Sequence, residues 1–160
     1  MLFPDLDEDA LFLSRSNEDE ALGTHKLASF LLEGLLWPSI EHYYQAMKFQ
    51  ETSPSYFEKI RKSSTAKQAR RMGRSRFHKV RKDWAQVKRT VMTRAVYTYC
   101  RSHPQVAQLL LDSGSRKILE NSQYDYYWGC GRDRRAENTY GKVLMDVRSK
   151  LNQEGREKQN

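Results

Sequence analysis

Apolar residues recur with a helical period in the segment WPSIEHYYQAMKF, which runs from Trp37 to Phe49. The apolar stripe consists of Ile40, Tyr43, Tyr44 and Met47. Spacings of three and four positions are typical of a helix that buries one face. Pro38 has no N–H to leave unsatisfied near the helix start, and the Ser39 hydroxyl can cap the first amides. The pattern therefore predicts a short amphipathic helix.

Three polar residues lie together on this helix. Glu41 and Lys48 are seven positions apart, which is about two helical turns, so both side chains point the same way. Gln45 lies between them. On many helices such a set is only a pair of solvated charges beside a core-facing stripe. Whether it forms a site depends on the rest of the chain.

The residues on either side of this helix predict further short elements. The segment SFLLEGLLW indicates a β-hairpin that reverses at Glu33 and Gly34. A second helix starts at Ser53 and Pro54. Ser64 or Thr65 begins a basic third helix that Gly73 can end. The second half then predicts, in order, a long helix capped by Asp83, a shorter helix between His103–Pro104 and Gly114, a strand at Lys117–Glu120, a loop over 121–137, and a last helix capped by Asn138 or Thr139.

These elements favour one α+β domain that is mainly helical and carries a few short β-strands. Its 160 residues are enough to bury a sizeable core without metal or disulfide staples. We expect an acidic and loosely attached arm at 1–25, the domain proper at 26–152, and a polar, frayed tail at 153–160. The expected oligomeric state stays open.

Several function classes are disfavoured. No apolar run approaches the roughly 18 residues that cross a bilayer, and the first residues are acidic where a signal peptide is basic, so we expect a soluble, cytoplasmic protein without membrane contact. Dinucleotide, nucleotide-triphosphatase, metalloprotease and esterase motifs are absent. Neither a metal nor a cofactor is expected. Cys100 and Cys130 are not placed as nucleophiles.

Charge is distributed unevenly along the chain. Residues 1–22 contain seven acids and one cation, Arg15, whereas residues 59–89 contain thirteen Lys or Arg and one acid, Asp83. Such asymmetry suggests an anionic partner for the middle of the molecule, although a solvated basic helix surface is the ordinary alternative. Arg71 and Arg74, in the run ARRMGR, are the first candidates for phosphate binding.

A third polar cluster lies in the segment SQYDYYWGCGRDRRAEN. Asp125 precedes Trp128 by three positions in a loop rich in aromatic rings. A base or ribosyl group can stack on such rings while phosphates are held by arginines. Trp84, by contrast, continues the apolar stripe of the long helix and is expected in the core, and His42 is expected to be structural.

Taken in order, these segments resemble the NADAR domain family. The resemblance rests on WPSIEHYYQAMKF, ARRMGR, VRKDWAQVKRTVM, LLDSG, ILENSQYDYYWGCG and NTYGKVLMDVR, and it spans Trp37 to Leu151. The family includes N-glycosidases that act on early intermediates of riboflavin biosynthesis and hydrolases that remove ADP-ribose from guanine bases. The resemblance therefore implies an N-glycosidase whose substrate is a phosphorylated ribosyl small molecule or an ADP-ribosylated nucleic acid.

The resemblance also implies roles for individual residues. Catalytic roles fall on Glu41, Lys48 and Asp125, and substrate-binding roles fall on Gln45, Tyr44, Arg71, Arg74, Trp128 and Asn138. Two segments depart from the family pattern: Gly23, Thr24 and His25 replace its usual upstream turn, and residues 132–136 fill its glycine-rich loop. Both departures concern regions expected to shape the pocket.

Cleaving a ribosyl C1–N bond requires a proton for the departing nitrogen and stabilisation of positive charge on the sugar. We hypothesise that Glu41 and Asp125 divide these tasks, with the assignment left open, and that Lys48 forms a Schiff base with the opened sugar. The alternative from another class is a non-catalytic module that binds ADP-ribose or nucleic acid.

Overall fold

The computed structural model describes residues 9–160, and within them six helices enclose the core while four short strands form two small sheets. The strands are β1 (Leu11–Leu13), β2 (Phe30–Leu32), β3 (Leu35–Trp37) and β4 (Ile118–Glu120). The helices are α1 (Ile40–Ala46), α2 (Pro54–Arg61), α3 (Ala66–Gly73), α4 (Trp84–Ser102), α5 (Pro104–Asp112) and α6 (Thr139–Gln159). The prediction of a mainly helical α+β domain is confirmed.

The hairpin of β2 and β3 forms as predicted. Its strands are antiparallel, with Leu32 opposite Leu35, and Glu33 and Gly34 make the turn with φ of 57° and 78°. Positive φ at both turn residues matches the right-handed twist of the strands, which is why short hairpins favour this turn. The hairpin leads directly into α1.

Helix α1 lies at the centre of the molecule, and all of its residues are buried. It packs against α2, α3 and α4. Trp37, just before it, places its ring edge-on to those of Tyr43 and Phe57, with centroids 5.1 Å and 5.4 Å away. Because α1 has no solvated face, its polar residues point into the protein and need partners there.

Side-chain caps agree with the prediction at two helices and differ at two others. Ser39 accepts from the His42 amide, as predicted. Asp83 precedes α4 and Asn138 precedes α6, but neither side chain caps its helix. Asp83 instead binds Arg81, and the Asn138 amide binds the backbone of β4. Thr65 supplies the remaining cap by accepting from the Gln68 amide.

The loose attachment expected for 1–25 is wrong for the part that the structure describes, residues 9–25. Strand β1 pairs in parallel with β4, with Leu11 opposite Ile118. Arg15 is buried and binds carboxylates of the domain. Apolar burial and ion pairing therefore hold this segment against the domain, while residues 1–8 of the expected arm lie outside the described residues.

The prediction of a frayed tail at 153–160 is also wrong, because α6 continues to Gln159. Beyond the buried Leu151, residues 152–159 are mostly Gln, Glu, Lys and Arg, which are good helix formers. Their exposed side chains extend the helix without a core to pack on. No helix among residues 9–160 has the length and hydropathy needed to cross a membrane. The cytoplasmic location stays a prediction.

Candidate active site

A narrow cavity of about 140 Å³ opens where α1, α3, α4 and the loop after β4 meet. Its lining residues are Arg15, Glu41, Tyr44, Gln45, Lys48, Arg70, Arg74, Met92, Asp125 and Trp128. Glu41 and Lys48 come from α1 and the residues just after it, whereas Asp125 comes from the loop after β4, far away in the chain. The fold brings these three side chains to one cavity.

Glu41 lies on the first turn of α1 and is only 3% exposed. Its Oε2 accepts from the Thr24 hydroxyl at 2.8 Å, and its Oε1 accepts from Gln45 Nε2 at 2.8 Å. His25 Nδ1 lies 3.8 Å from Oε2. Burial lowers the pKa of His25 despite the nearby Glu41 carboxylate, so this imidazole is neutral at pH 7. Two hydrogen bonds thus fix the orientation of the Glu41 carboxylate.

Gln45 connects this carboxylate to α3. Its Oε1 is buried and has no hydrogen-bond donor among residues 9–160. A Cβ atom placed on Gly73 would lie 1.9 Å from that oxygen. Only glycine therefore allows the end of α3 to approach α1 so closely.

Lys48 follows the end of α1 by two residues and points into the same cavity. Its Nζ donates to the Gly73 carbonyl at 3.1 Å and lies 5.8 Å from the ring centroids of both Tyr44 and Trp84. Burial lowers its pKa to about 8, with help from the nearby arginines and against the attraction of Glu41. Roughly a tenth of this amine is therefore unprotonated at pH 7, far more than for a solvated lysine.

Asp125 is held by a cation and by backbone amides. Its Oδ2 accepts from Arg15 Nη2 at 2.7 Å, and its Oδ1 accepts from the amides of Tyr127 and Trp128 at 3.0 Å and 2.8 Å. Burial by itself would raise the pKa of Asp125, but Arg15 and these amides lower it below 3.8. The carboxylate is therefore ionised at neutral pH.

Arg15 joins the N-terminal segment to this site. Its Nη1 also donates to Glu120 Oε2 at 3.1 Å, at the end of β4. Glu120 is fully buried. Arg15 and Glu120 thus belong to the site although the sequence did not indicate either residue. The available signal was that Arg15 is the lone cation in an otherwise acidic segment.

Aromatic rings form one wall of the cavity. Trp128 is only 6% exposed and meets the ring of Tyr44 edge-on at 5.6 Å. Trp84 tilts against Tyr44 at 5.0 Å and packs on the core, as expected for it. Trp128 is thus a wall of the cavity rather than an open stacking surface. The exposed rings of its loop are those of Tyr124 and Tyr126.

A wider groove of about 840 Å³ adjoins the cavity, because Arg70 and Arg74 line both. Arg71 and Lys67 line only the groove. Burial lowers the pKa of the Arg70 guanidinium, which nonetheless stays charged at neutral pH. The groove therefore places several cations next to the opening of the narrow cavity.

Most substrate-binding residues expected from the sequence lie at this cavity or groove. Tyr44, Gln45, Arg74 and Trp128 line the cavity, and Arg71 lines the groove. Asn138 does not line the cavity: its amide binds the Ile118 carbonyl at 2.9 Å and the Glu120 amide at 2.8 Å. Through these two hydrogen bonds, the Asn138 side chain links the start of α6 to the backbone of β4. Arg70, from the run ARRMGR, also lines the cavity, and Met92 lines it although the sequence did not indicate it.

Known proteins share this architecture. The NADAR domain family matches residues 3–152. The chain belongs to the NADAR family. The N-glycosidase YbiA of Shigella flexneri serotype 5b is 35% identical over 140 residues, which cover 88% of this chain and 86% of YbiA. The NMR structure of YbiA from E. coli superposes with a TM-score of 0.82 at 32% identity, covering 96% of this chain and 93% of that one.

A plant relative matches this chain over only a small part of its own length. The chloroplastic riboflavin biosynthesis protein PYRR of Zea mays is 33% identical over 123 residues, which cover 72% of this chain and 20% of PYRR. Relatedness to the N-glycosidases over most of both chains assigns this protein to the hydrolases of N-glycosyl compounds. Among residues 9–160, no group of three His, Cys, Asp or Glu is arranged to hold a metal ion.

Proposed function

We propose that the protein hydrolyses the C1–N bond between a phosphorylated ribosyl or ADP-ribosyl group and the exocyclic amine of a base. Ribosylaminopyrimidine phosphates and guanine carrying ADP-ribose on its amine both have this bond. The observation that carries the proposal is the shared cavity: an acid, a buried amine and a second acid line one ribose-sized space beside a cationic groove.

The two carboxylates have different surroundings, which supports different roles. Asp125 is ionised and held by Arg15 and two amides, so it provides a fixed negative charge beside the sugar. Glu41 then transfers the proton to the departing nitrogen. Thr24 and Gln45 hold the Glu41 carboxylate in place for that transfer.

Lys48 suits covalent catalysis. When ribose is attached to an exocyclic amine, the C1–O ring bond can break to leave an imine between C1 and the base nitrogen. The unprotonated Nζ of Lys48 adds to C1, the base amine departs with a proton, and a Lys48 imine remains. Water then hydrolyses this imine, which releases the sugar and restores the amine. The lowered pKa of Lys48 provides the unprotonated form that the addition needs.

The groove accounts for the phosphate part of the substrate. Arg70 and Arg74 lie at the junction of cavity and groove, and Arg71 lies farther along the groove. Guanidinium groups bind phosphate oxygens through paired N–H donors. A ribosyl group in the cavity would thus extend its phosphates toward these arginines.

Borohydride trapping tests the covalent step. Wild-type protein is mixed with each substrate in the presence of borohydride, and peptide mass spectrometry then looks for a reduced sugar adduct. We expect the adduct on Lys48. Lys48→Ala is expected to retain the fold, lose the adduct and lose activity, and Glu41→Gln to lose most activity. Full turnover by Lys48→Ala contradicts the proposal.

Comparing turnover of the two substrates identifies which base the enzyme releases. Release of ribose 5-phosphate from the pyrimidine intermediate and release of ADP-ribose from modified guanine are measured side by side by mass spectrometry. Tight calorimetric binding of both compounds without turnover of either would instead identify a non-catalytic binding module.

A further inference from the structure

The loop 74–83, between α3 and α4, presents an aromatic ring to solvent among cations. Phe77 is 95% exposed, more than any other large hydrophobic residue among those the structure describes. Five cations surround it in the loop: Arg74, Arg76, Lys79, Arg81 and Lys82. No acid occurs between residues 74 and 82.

Other residues of the loop anchor it, so the exposure of Phe77 belongs to an ordered segment. His78 stacks on Tyr56 with ring centroids 3.6 Å apart and planes 4° from parallel. Ser75 bonds His78 Nδ1 at 2.9 Å. The Thr52 hydroxyl donates to the Lys79 carbonyl. The loop thus packs the ring of His78 against Tyr56 and leaves the ring of its neighbour Phe77 in solvent.

Both ends of the loop are tied to Lys48. The Gly73 carbonyl accepts from Lys48 Nζ at 3.1 Å, and the Arg81 amide donates to the Lys48 carbonyl at 2.9 Å. Arg74 lines the narrow cavity. Phe77 is three residues farther on, so its Cα lies at most about 11 Å from that of Arg74. A molecule bound along the loop therefore lies next to the cavity.

Arg81 is the only one of the five loop cations that has an acidic partner among residues 9–160. Arg81 makes two bonds to Asp83, at 2.6 Å and 2.9 Å. Within residues 9–160, no carboxylate lies within ion-pair distance of Arg76, Lys79 or Lys82. All three side chains are exposed. Their charges are available to an anionic partner.

We propose that the loop 74–83 binds single-stranded nucleic acid, with a base stacked on Phe77 and phosphates held by Arg76, Lys79 and Lys82. An aromatic ring flanked by free cations matches the alternating bases and phosphates of an unpaired strand. In a duplex the base faces are already stacked on one another. If the proposed function holds, a strand on this loop carries its modified base to the adjacent cavity.

Binding of an unmodified strand tests the stacking contact independently of catalysis. Fluorescence anisotropy measures the affinity for a labelled single-stranded oligonucleotide of about 12 nucleotides. We expect Phe77→Ala to weaken binding roughly five- to a hundred-fold, and Phe77→Trp to preserve it. Leu31→Ala, at another exposed apolar side chain, is the matched control and is expected to bind as wild type does.

Salt dependence distinguishes the phosphate contacts from the stacking contact. In a plot of log affinity against log salt concentration, each lost phosphate contact with a single strand reduces the slope by about 0.7. The double variant Arg76→Ala/Lys79→Ala is expected to reduce it by about 1.4. Phe77→Ala is expected to leave the slope unchanged while lowering the affinity.

Wild-type affinity of Phe77→Ala for the single strand overturns the inference, as does duplex binding that is equally tight and insensitive to Phe77. The outcome is separable from that of the proposed function. A wild-type protein that binds the strand through Phe77 but hydrolyses neither substrate refutes the proposed function and leaves this inference standing.

Discussion

At the scale of single residues, the amine of Lys48 shows how one environment serves chemistry at the expense of stability. Burial lowers its pKa to about 8, from 10.5 for a free lysine. The unprotonated amine is the form that can attack C1. Below pH 8, however, folding has to bury a charged amine beside Arg70 and Arg74. The same placement that activates the residue therefore destabilises the folded state.

This conflict predicts that Lys48→Met is inactive and yet more stable than wild type at pH 7. The pKa of Lys48 is lower in the folded than in the unfolded chain, so stability of the wild type rises with pH between about 8 and 10.4. We expect the melting temperature of the variant to exceed that of wild type by about 2–4 °C at pH 7, and the difference to shrink above pH 8. Thermal unfolding followed by circular dichroism measures both, and a lower melting temperature at pH 7 would contradict the reasoning.

At the scale of elements, the close approach of α3 to α1 depends on Gly73. The end of α3 lies against Gln45, and Gln45 in turn holds Glu41. Contact between two helices thus determines the orientation of a carboxylate in the cavity. Gly73 has no side chain of its own, and the space left by the missing side chain is occupied by Gln45.

Gly73→Ala is accordingly expected to reduce activity. Its Cβ would lie 1.9 Å from Gln45 Oε1 and 2.6 Å from Gln45 Cδ, so Gln45 must move and its bond to Glu41 is lost. A hydrogen bond to a charged group contributes about 1.5–3 kcal/mol, which predicts a fall in kcat/KM of roughly ten- to a hundred-fold.

Gly155→Ala is the matched control. Gly155 lies in α6 with nothing within 4 Å of its added Cβ, so we expect unchanged activity and a gain of about 0.5–1 kcal/mol in stability from helix propensity. Wild-type activity in Gly73→Ala would show that the position of Gln45 does not matter to the reaction.

At the scale of the whole molecule, Arg15 connects the N-terminal segment to β4 and the loop after it, which are 105 and 110 residues away in sequence. It follows β1, binds Glu120 at the end of β4, and binds Asp125 in the loop beyond. Glu120 is fully buried, and its Oε2 lies 3.1 Å from Arg15 Nη1. The N-terminal segment therefore completes the site and stabilises the fold at the same time.

Arg15→Met is expected to lower the free energy of unfolding by about 3–5 kcal/mol at pH 7, because it leaves a buried carboxylate without its cation. Urea unfolding measures the loss. The double variant Arg15→Met/Glu120→Gln is expected to lose less, since no unpaired charge remains at Glu120.

The pH dependence of this effect follows from Asp125. Its pKa is lowered in the folded protein, so the stability it gains from Arg15 is present above about pH 3.9 and is lost as the pH falls through the folded value. The difference between wild type and Arg15→Met should therefore narrow in acid. A difference that stays constant as the pH falls from 7 through the range in which Asp125 titrates in the folded protein would indicate that the Arg15–Asp125 pair contributes nothing to stability.

Short-range features of the sequence are sufficient to predict most of the helices and the hairpin. Pro54 and Pro104 mark helix starts, Thr65 caps α3, and the Glu33–Gly34 turn closes the hairpin. Each depends on contacts a few residues away in the chain. The cap predicted at Asp83 and the cap predicted at Asn138 or Thr139 do not form: Asp83 bonds Arg81, and the Asn138 side chain bonds the backbone of β4.

The sequence by itself determined the helical class, the order of the elements and the resemblance to a family, since periodicity and short motifs are local properties of the chain. It indicated Glu41, Lys48 and Asp125 but not their partners. Only the tertiary structure placed Arg15 against Asp125 and brought Gly73 against Gln45. Ion pairing and close packing depend on distances between segments up to about a hundred residues apart, and those distances exist only once the chain has folded.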